Sequence, residues 1–390
     1  MSSKKLSTGK SAEPTGEKRA ATRRRFLKGA AITAAGGAAT VAMPNVSRAA
    51  TTTLKMQTSW GATSPFMDMA RQYVDRAQSM AGGRLKIELL PSGAVVKAFQ
   101  VQDATHKGVI DGAHTVCAYW YGKNKAASLF GTSPVFGCNA SQMLAWIQFG
   151  GGKAMYTELV QKILKLNLVG FFSMPMPTQP LGWFKFNVTS LKQLQGLKYR
   201  TVGLATDVMQ GVGMKVTQLP GGEIMPALEK GVIDAFEFNN PTADSRFGAQ
   251  DVSKFYMMSS YHQAQEFFEI IFNKSKFDSL PAEHKAILEY SAEAASTASY
   301  GWAMNQYSKD LQKLINKDGV HVNRTPKSIL SAELDSWDRV LKKLNRDPFF
   351  KKVVDSQKAW SKRVGFYDLL NAADYKLAYE HSFPGVLPKF

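Results

Sequence analysis

From Thr53 onward the chain alternates short runs of period two with longer runs of helical spacing, and this limits the folds open to it. Residues 53–59 (TLKMQTS) read as a strand, 66–80 as a helix and 84–90 as a second strand, together a βαβ unit. The spacing predicts a helix over 99–107 and a strand over 112–120. After Asn167 short strands are expected at 168–173, 183–186, 197–202, 215–217 and 235–238. From Pro281 helical spacing dominates, over 283–316, 328–345 and a final stretch ending near His381. Alternation of this kind predicts an α/β chain with parallel pairing: two α/β lobes and a helical tail. No repeat of fixed period is visible.

With 390 residues, 44% of them hydrophobic, the chain can bury a large core without disulfides. Collagen, low-complexity disorder and small cysteine frameworks are excluded. No run of about eighteen apolar residues reads as a membrane span. Of the net charge of +18, residues 1–49 supply +8, from ten Lys/Arg and two acids. The remaining Lys residues are dispersed, which suits solubility and mild attraction of anions rather than groove reading, so nucleic acid is not an expected partner.

Thr22-Arg23-Arg24-Arg25-Phe26-Leu27-Lys28 precedes a short Gly/Ala-rich apolar run and small residues at Ala49-Ala50. The stretch resembles a twin-arginine export signal over 1–49, implying a mature start near Ala50 or Thr51 and a periplasmic location. That route often serves proteins carrying inserted cofactors, but there is no CxxC, CxxCH or Cys/His cluster of metal spacing. Cys117 and Cys138 stand alone, either as two buried thiols or as one disulfide.

The six histidines are scattered, and there is no H-E-x-x-H or G-x-S-x-G. Gly150-Gly151-Gly152-Lys153 lacks the remaining phosphate-loop residues and reads as a turn between helices. Pro220-Gly221-Gly222-Glu223 reads as a tight turn opening a helix. What remains is a set of isolated polar residues in apolar or aromatic settings. Arg200 ends a predicted strand, Gln179 sits in the loop Pro177-Thr178-Gln179-Pro180, and Glu237-Phe238 closes another strand. In an α/β lobe, ligands bind beyond the carboxyl ends of strands, where these residues fall. A guanidinium offers a planar fork that grips a carboxylate. Each residue also has a plain reading, as a surface Arg, a turn Gln or a capping Glu.

Several stretches carry a family resemblance: Gly82-Gly83-Arg84-Leu85-Lys86-Ile87, Tyr119-Trp120-Tyr121-Gly122-Lys123, Gly182-Trp183-Phe184 and Leu194-Gln195-Gly196-Leu197-Lys198-Tyr199-Arg200. Leu219-Pro220-Gly221-Gly222-Glu223-Ile224 and the run from Ala227 to Ala235 add to them. The chain resembles the extracytoplasmic solute-binding proteins of TRAP (tripartite ATP-independent periplasmic) transporters, nearest the branch that binds 2-oxo acids and related monocarboxylates. The resemblance implies a two-lobed α/β fold with a hinge cleft and a long C-terminal helical segment. Lobe I is expected over 50–172 with a return near 242–272, lobe II over 173–241, and helices completing lobe II over 273–390.

The resemblance also implies that Arg200 pairs with the carboxylate of a small organic acid, and that replacing it by Ala leaves the fold intact. Trp60, Phe99, Tyr119 and Trp120 are the candidates to cover the apolar part of the ligand. No cofactor is required, but the branch bridges its ligand with a metal ion, here sodium or calcium. The implied metal ligands are Gln179, Glu237, Phe238 through its carbonyl, and a position occupied here by Gln263 instead of Glu, which removes one negative charge from the site. Phe238 stands where Trp is common, and Asn239-Asn240 implies further hydrogen-bond partners. The expected ligand is therefore a 2-oxo, hydroxy or aromatic acid with extra polar groups or a ring rather than a short 2-oxo acid. The expected partners are the TRAP membrane subunits and a second copy through a C-terminal helix. The alternatives are a carboxylate-sensing protein and a periplasmic enzyme using Glu237.

Overall fold

The computed structural model describes residues 51–387, so the leader assigned to 1–49 lies outside the described residues. Strand β1 (Thr52–Thr58) runs into helix α1 (Pro65–Met80) and returns as β2 (Leu85–Leu90). Ser64 opens α1 by accepting from the Phe66 N–H, and Pro65 occupies the first turn, where its missing donor costs nothing. The two strands pair in parallel, Leu54 beside Ile87 and Met56 beside Leu89, and α1 covers them with Tyr73, Val74 and Ala77. On the other side of β1 lies β3 (Gly112–Thr115), also parallel. The strand expected over 112–120 stops at Thr115, and Cys117–Trp120 turns as a 3-10 helix.

The first sheet has the order β2-β1-β3-β11-β4, with β4 at Thr132–Ser133, and β5 (Leu168–Met176) also pairs with β11 (Gln265–Asn273). Strand β11 is antiparallel to β3, β4 and β5, so the sheet is mixed rather than wholly parallel. The cause is topological: β11 arrives from the second sheet across the molecule, not through a helix that would restore its direction. Every residue of β11 is buried, which erases the period-two pattern and explains why the sequence did not reveal it. Helix α2 (Ala140–Phe149) covers the far side, and the glycines after it make the expected turn, with Gly151 at φ 86°.

The second sheet has the order β12-β10-β6-β9-β7-β8. Its strands are β6 (Gly182–Phe184), β7 (Lys198–Arg200), β8 (Lys215–Thr217), β9 (Ala235–Phe236), β10 (Phe255–Met258) and β12 (His321–Arg324). Strand β7 is parallel to β8 and β9, whereas β6 is antiparallel to β9 and β10. Helices α3 (Ala205–Val212), α4 (Ile224–Glu229) and α5 (Pro241–Arg246) connect them. The return to the first sheet is therefore narrower than 242–272, because β10 stays in the second sheet and only β11 crosses. The tail expected to be helical likewise contributes strand β12.

Two extended crossovers join the sheets, 177–181 after β5 and 259–264 before β11. A third link is helix α6 (Ala282–Asn316), 35 residues and about 52 Å long. Small residues let it lie close against β5: Ser173 Oγ donates to the Ala292 carbonyl (3.0 Å), and the Met174 N–H donates to Ser296 Oγ (2.8 Å). Helix α7 (Lys327–Leu344) packs on α3, with Ser336 Oγ donating to the Val208 carbonyl, and α8 (Pro348–Asn371) buries Phe350, Val353 and Val354. A last helix, α9, spans Tyr375–Ser382. Cys117 and Cys138 are separate buried thiols, the first bonded to Glu269 and the second near Gly365, which resolves the open pairing. No helix among the described residues is long and apolar enough to cross a membrane.

One glycine holds the second sheet together. Gly182 has φ +124°, and a Cβ there would stand 2.1 Å from the Phe236 carbonyl oxygen, the neighbouring strand's backbone. Gly182→Ala should lower stability by about 3 kcal/mol, from backbone strain plus a clash that cannot relax. Chemical denaturation of the two proteins checks this; a midpoint unchanged within error would refute it.

Candidate functional site

Strand β7 delivers Arg200 to the end of the second sheet, where it is 1% exposed. Its Nε and Nη2 donate to the Leu219 carbonyl (2.8 and 2.7 Å), and Nη1 donates to both the carbonyl and Oε1 of Glu237 (2.7 and 2.9 Å). A guanidinium has five N–H groups, so these contacts leave one on Nη2. The Phe238 ring lies 5.6 Å from the guanidinium carbon. The Arg200 fork is thus not held open for a guest. It is built into the wall by Glu237, which follows β9, and by Leu219, which opens the Pro220-Gly221-Gly222 turn.

That pairing gives Arg200 a structural role beside the binding role expected of it, so Arg200→Ala should destabilise the fold. Glu237 is fully buried, and losing its partner would strand a charge at a cost of about 3–5 kcal/mol.

The crossovers supply the next residues. Pro180 biases Gln179 toward an extended backbone, and the Gln179 N–H donates to the Gln263 carbonyl (3.3 Å), tying the two crossovers side by side. The amide nitrogens of both glutamines are anchored. Gln179 Nε2 donates to Glu266 Oε2 (2.6 Å), and Gln263 Nε2 donates to Thr201 Oγ1 (3.1 Å). Their oxygens are left over. Among the described residues Gln179 Oε1, Gln263 Oε1 and Glu237 Oε2 are buried with no hydrogen-bond partner. Unpartnered buried acceptors are costly and require a donor or a cation. Three hard oxygens fit sodium or calcium in donor type, and would be part of the roughly six to eight oxygens that calcium takes.

Glu266 is the residue that sequence reasoning missed. It lies on β11, lines the same cavity, and accepts from Asn239 Nδ2 (2.5 Å) as well as Gln179. The site therefore retains a second carboxylate despite Gln263, from a position three residues on. The available signal was two acids in an otherwise apolar run, Glu266-Phe267-Phe268-Glu269-Ile270-Ile271-Phe272, of which Glu269 is taken by Trp120 and Tyr156 in the core. Asn239 faces Glu266, while Asn240 Oδ1 caps α5 by accepting from the Ala243 N–H (2.8 Å). Asp244 accepts from Trp183 Nε1 and the Asn239 N–H and so holds this loop in place.

The cavity measures about 10 Å³ in this closed arrangement and is walled by Trp60, Phe66, Tyr119, Met176, Val202 and Phe238. Trp60 is aimed by His114, whose Nδ1 accepts from the indole N–H (2.9 Å). Tyr119 lines the cavity, and Phe99 packs behind it with ring centroids 4.5 Å apart rather than facing inward. Trp120 turns away altogether: its Nε1 donates to Glu269 Oε2 (2.5 Å) in the core of the first lobe. The 3-10 turn after β3 sets neighbouring side chains about a third of a turn apart, so Tyr119 faces the cavity while Trp120 points into the core toward Glu269.

Burial pushes Glu237 up to about 7 against the pull of Arg200, and pushes Glu266 up to about 8. Burial also raises Glu333 to about 7 and Asp244 to about 6. In the folded chain these acids keep protons that an unfolded chain releases above its ordinary carboxyl pKa of 4.5 for Glu and 3.8 for Asp. Their contribution is complete in acid and is lost as pH rises through 6 to 8. The protein freed of ions and ligand should therefore melt several degrees lower at pH 8.5 than at pH 5.5, and Glu266→Gln should flatten part of that slope. Calorimetric melts across this range check it; a melting temperature rising with pH would contradict it.

The matching family model is the bacterial extracellular solute-binding protein, family 7, over residues 56–347. A monocarboxylate 2-oxoacid-binding periplasmic protein of Nostoc is 31% identical over 327 residues, 83% of this chain and 87% of that protein. A TRAP transporter solute-binding protein of Bordetella bronchiseptica has 26% identity and a TM-score of 0.80, covering 86% of this chain and 98% of its own. That structure is a mixed-occupancy dimer with calcium and picolinate in its active site. A TRAP periplasmic solute-binding protein of Pseudoalteromonas atlantica, with bound sodium and pyruvate, has 25% identity and a TM-score of 0.78, covering 85% of this chain and 99% of its own. The two-lobed α/β architecture is theirs, and these relatives are binding proteins. The chain belongs to the family 7 extracellular solute-binding proteins, the solute-binding subunits of TRAP transporters.

Proposed function

We propose that this chain captures a small 2-oxo or related monocarboxylate in the periplasm and presents it to TRAP membrane subunits for uptake driven by an ion gradient. The observation that carries the reading is the set of buried unpartnered oxygens on Gln179, Glu237 and Gln263 beside the Arg200 guanidinium. A sodium or calcium ion held by those oxygens and the Phe238 carbonyl would supply the positive charge that bridges them to the ligand. The ion-bearing relatives carry picolinate with calcium and pyruvate with sodium.

Within the chain, the remaining Nη2 N–H of Arg200 donates to the carboxylate, Trp60 and Tyr119 cover the apolar part, and lobe closure excludes water. Glu237 is occupied with Arg200 and Gln263, and we assign it no catalytic step. Export by the twin-arginine route belongs to the same reading and rests on residues 22–28.

A homodimer also belongs to it. Phe366, Tyr367, Leu369, Leu370, Tyr375 and Leu377, at the end of α8 and the start of α9, are 66–77% exposed. Large apolar side chains exposed this fully and this close together in sequence are unusual on a monomer and support a contact there.

Calorimetry with pyruvate in calcium or sodium should give a Kd near micromolar, about −8 kcal/mol. Chelation in sodium-free buffer should weaken binding at least about tenfold, and so should Arg200→Lys, which keeps the charge but loses the Nη2 N–H left for the carboxylate. Affinity untouched by both changes would refute the reading. Truncation after Gly365 should convert a dimer to a monomer in light scattering; a full-length monomer would refute the C-terminal contact.

A further inference from the structure

Next to the cavity at Arg200 lies a second hollow of about 130 Å³. The loop after β1 provides one side, with Trp60, Gly61 and Thr63, and the second lobe provides the other, with Gly222, Phe238 and Phe247. Trp60 and Phe238 line both spaces, so these two rings form the partition between them. The ring of Phe238 rests on Gly221, where a Cβ would meet it at 2.4 Å, and it packs 5.4 Å from Phe247 and 5.6 Å from Phe66. Arg246 also borders the hollow, engaged by Asp68 (2.7 Å) and the Thr63 carbonyl (3.2 Å), a bridge from the second lobe to the first.

Two glycines decide how this space is read. Neither Gly61 nor Gly222 has the positive φ that would require glycine, and a Cβ on either would meet no atom within 4 Å. The backbone accepts any residue at both places, so what the missing side chains leave is room. The inner cavity, at about 10 Å³, is about the size of one water in this closed arrangement, so it has no spare room for an apolar substituent.

We propose that the outer hollow is a subsite for the apolar substituent of the bound acid, so that the natural ligand is a 2-oxo monocarboxylate bearing an aromatic or branched group of ring size. The proposal rests on the monocarboxylate reading above and specifies its substrate class. The carboxylate and oxo group stay at Arg200 and the unpartnered oxygens, and the substituent passes between Trp60 and Phe238 to lie against Phe247. Aromatic walls on both lobes favour a ring there, and Arg246 with Asp68 closes over it.

The test compares pyruvate with phenylpyruvate by calorimetry on the wild type, Gly222→Phe and Gly61→Phe, with calcium present. Wild type should bind phenylpyruvate at least about tenfold more tightly, the discrimination expected of an apolar pocket. Each filling variant should abolish that preference while holding pyruvate affinity within about twofold. Equal affinities in wild type, or a preference that survives both variants, would overturn the subsite. Equal loss of both acids in both variants would also overturn it, marking the hollow as an entrance only. If neither acid binds wild type, the monocarboxylate reading itself fails and the subsite falls with it.

Discussion

A buried ion pair, Arg200 Nη1 to Glu237 Oε1 at 2.9 Å, is the interaction around which the binding region is organised. Removing both charges from water is costly, and the cost is met only where the geometry satisfies almost every donor. Arg200 achieves this by also taking the Leu219 and Glu237 carbonyls. The Pro220-Gly221-Gly222 turn is thereby drawn against the end of β7, and Phe238 is carried to its place over the guanidinium. The pair also changes the energetics of closure. An isolated arginine would oppose burial as the cleft closes, whereas one already paired with Glu237 does not.

The remaining polar groups come from segments that lie between the lobes. Gln179 and Gln263 sit on the two crossovers, bonded to each other through the backbone, so the unpartnered oxygens of both are held by the segments that link the lobes. At the cleft margins, Asp207 on α3 accepts from Tyr121 Oη (2.5 Å) and pairs with Lys125 (2.8 Å), while Arg246 pairs with Asp68. These partly exposed pairs contribute little stability each, but they set the register in which the lobes meet. Helix α6 passes beside the first crossover, with Met304, Tyr307 and Leu311 near Pro177, Thr178 and Pro180.

Parts of this arrangement were legible in the residues. Local alternation exposes β1, α1 and β2 because each has one covered face and one wetter one, and the long period-3.6 run exposes α6 almost to the residue. Arg200, Gln179 and Glu237 stand out as polar residues at strand ends in apolar surroundings, and the structure brings all three together with Gln263. Trp120 did not follow, since an aromatic beside Tyr119 looks the same whether it faces a cavity or a core. Glu266 was overlooked because its strand is buried on both faces and has no readable period.

The sequence alone determined the α/β class, the order of most elements and the residue types able to hold an anion, since these depend on local periodicity and on the chemistry of single side chains. Tertiary structure decided that β11 enters the first sheet antiparallel, that Arg200 is committed to Glu237, and that Glu266 supplies the second carboxylate. Each of these depends on which distant segments meet, and in a chain whose lobes exchange strands that is set by crossovers and packing rather than by neighbouring residues.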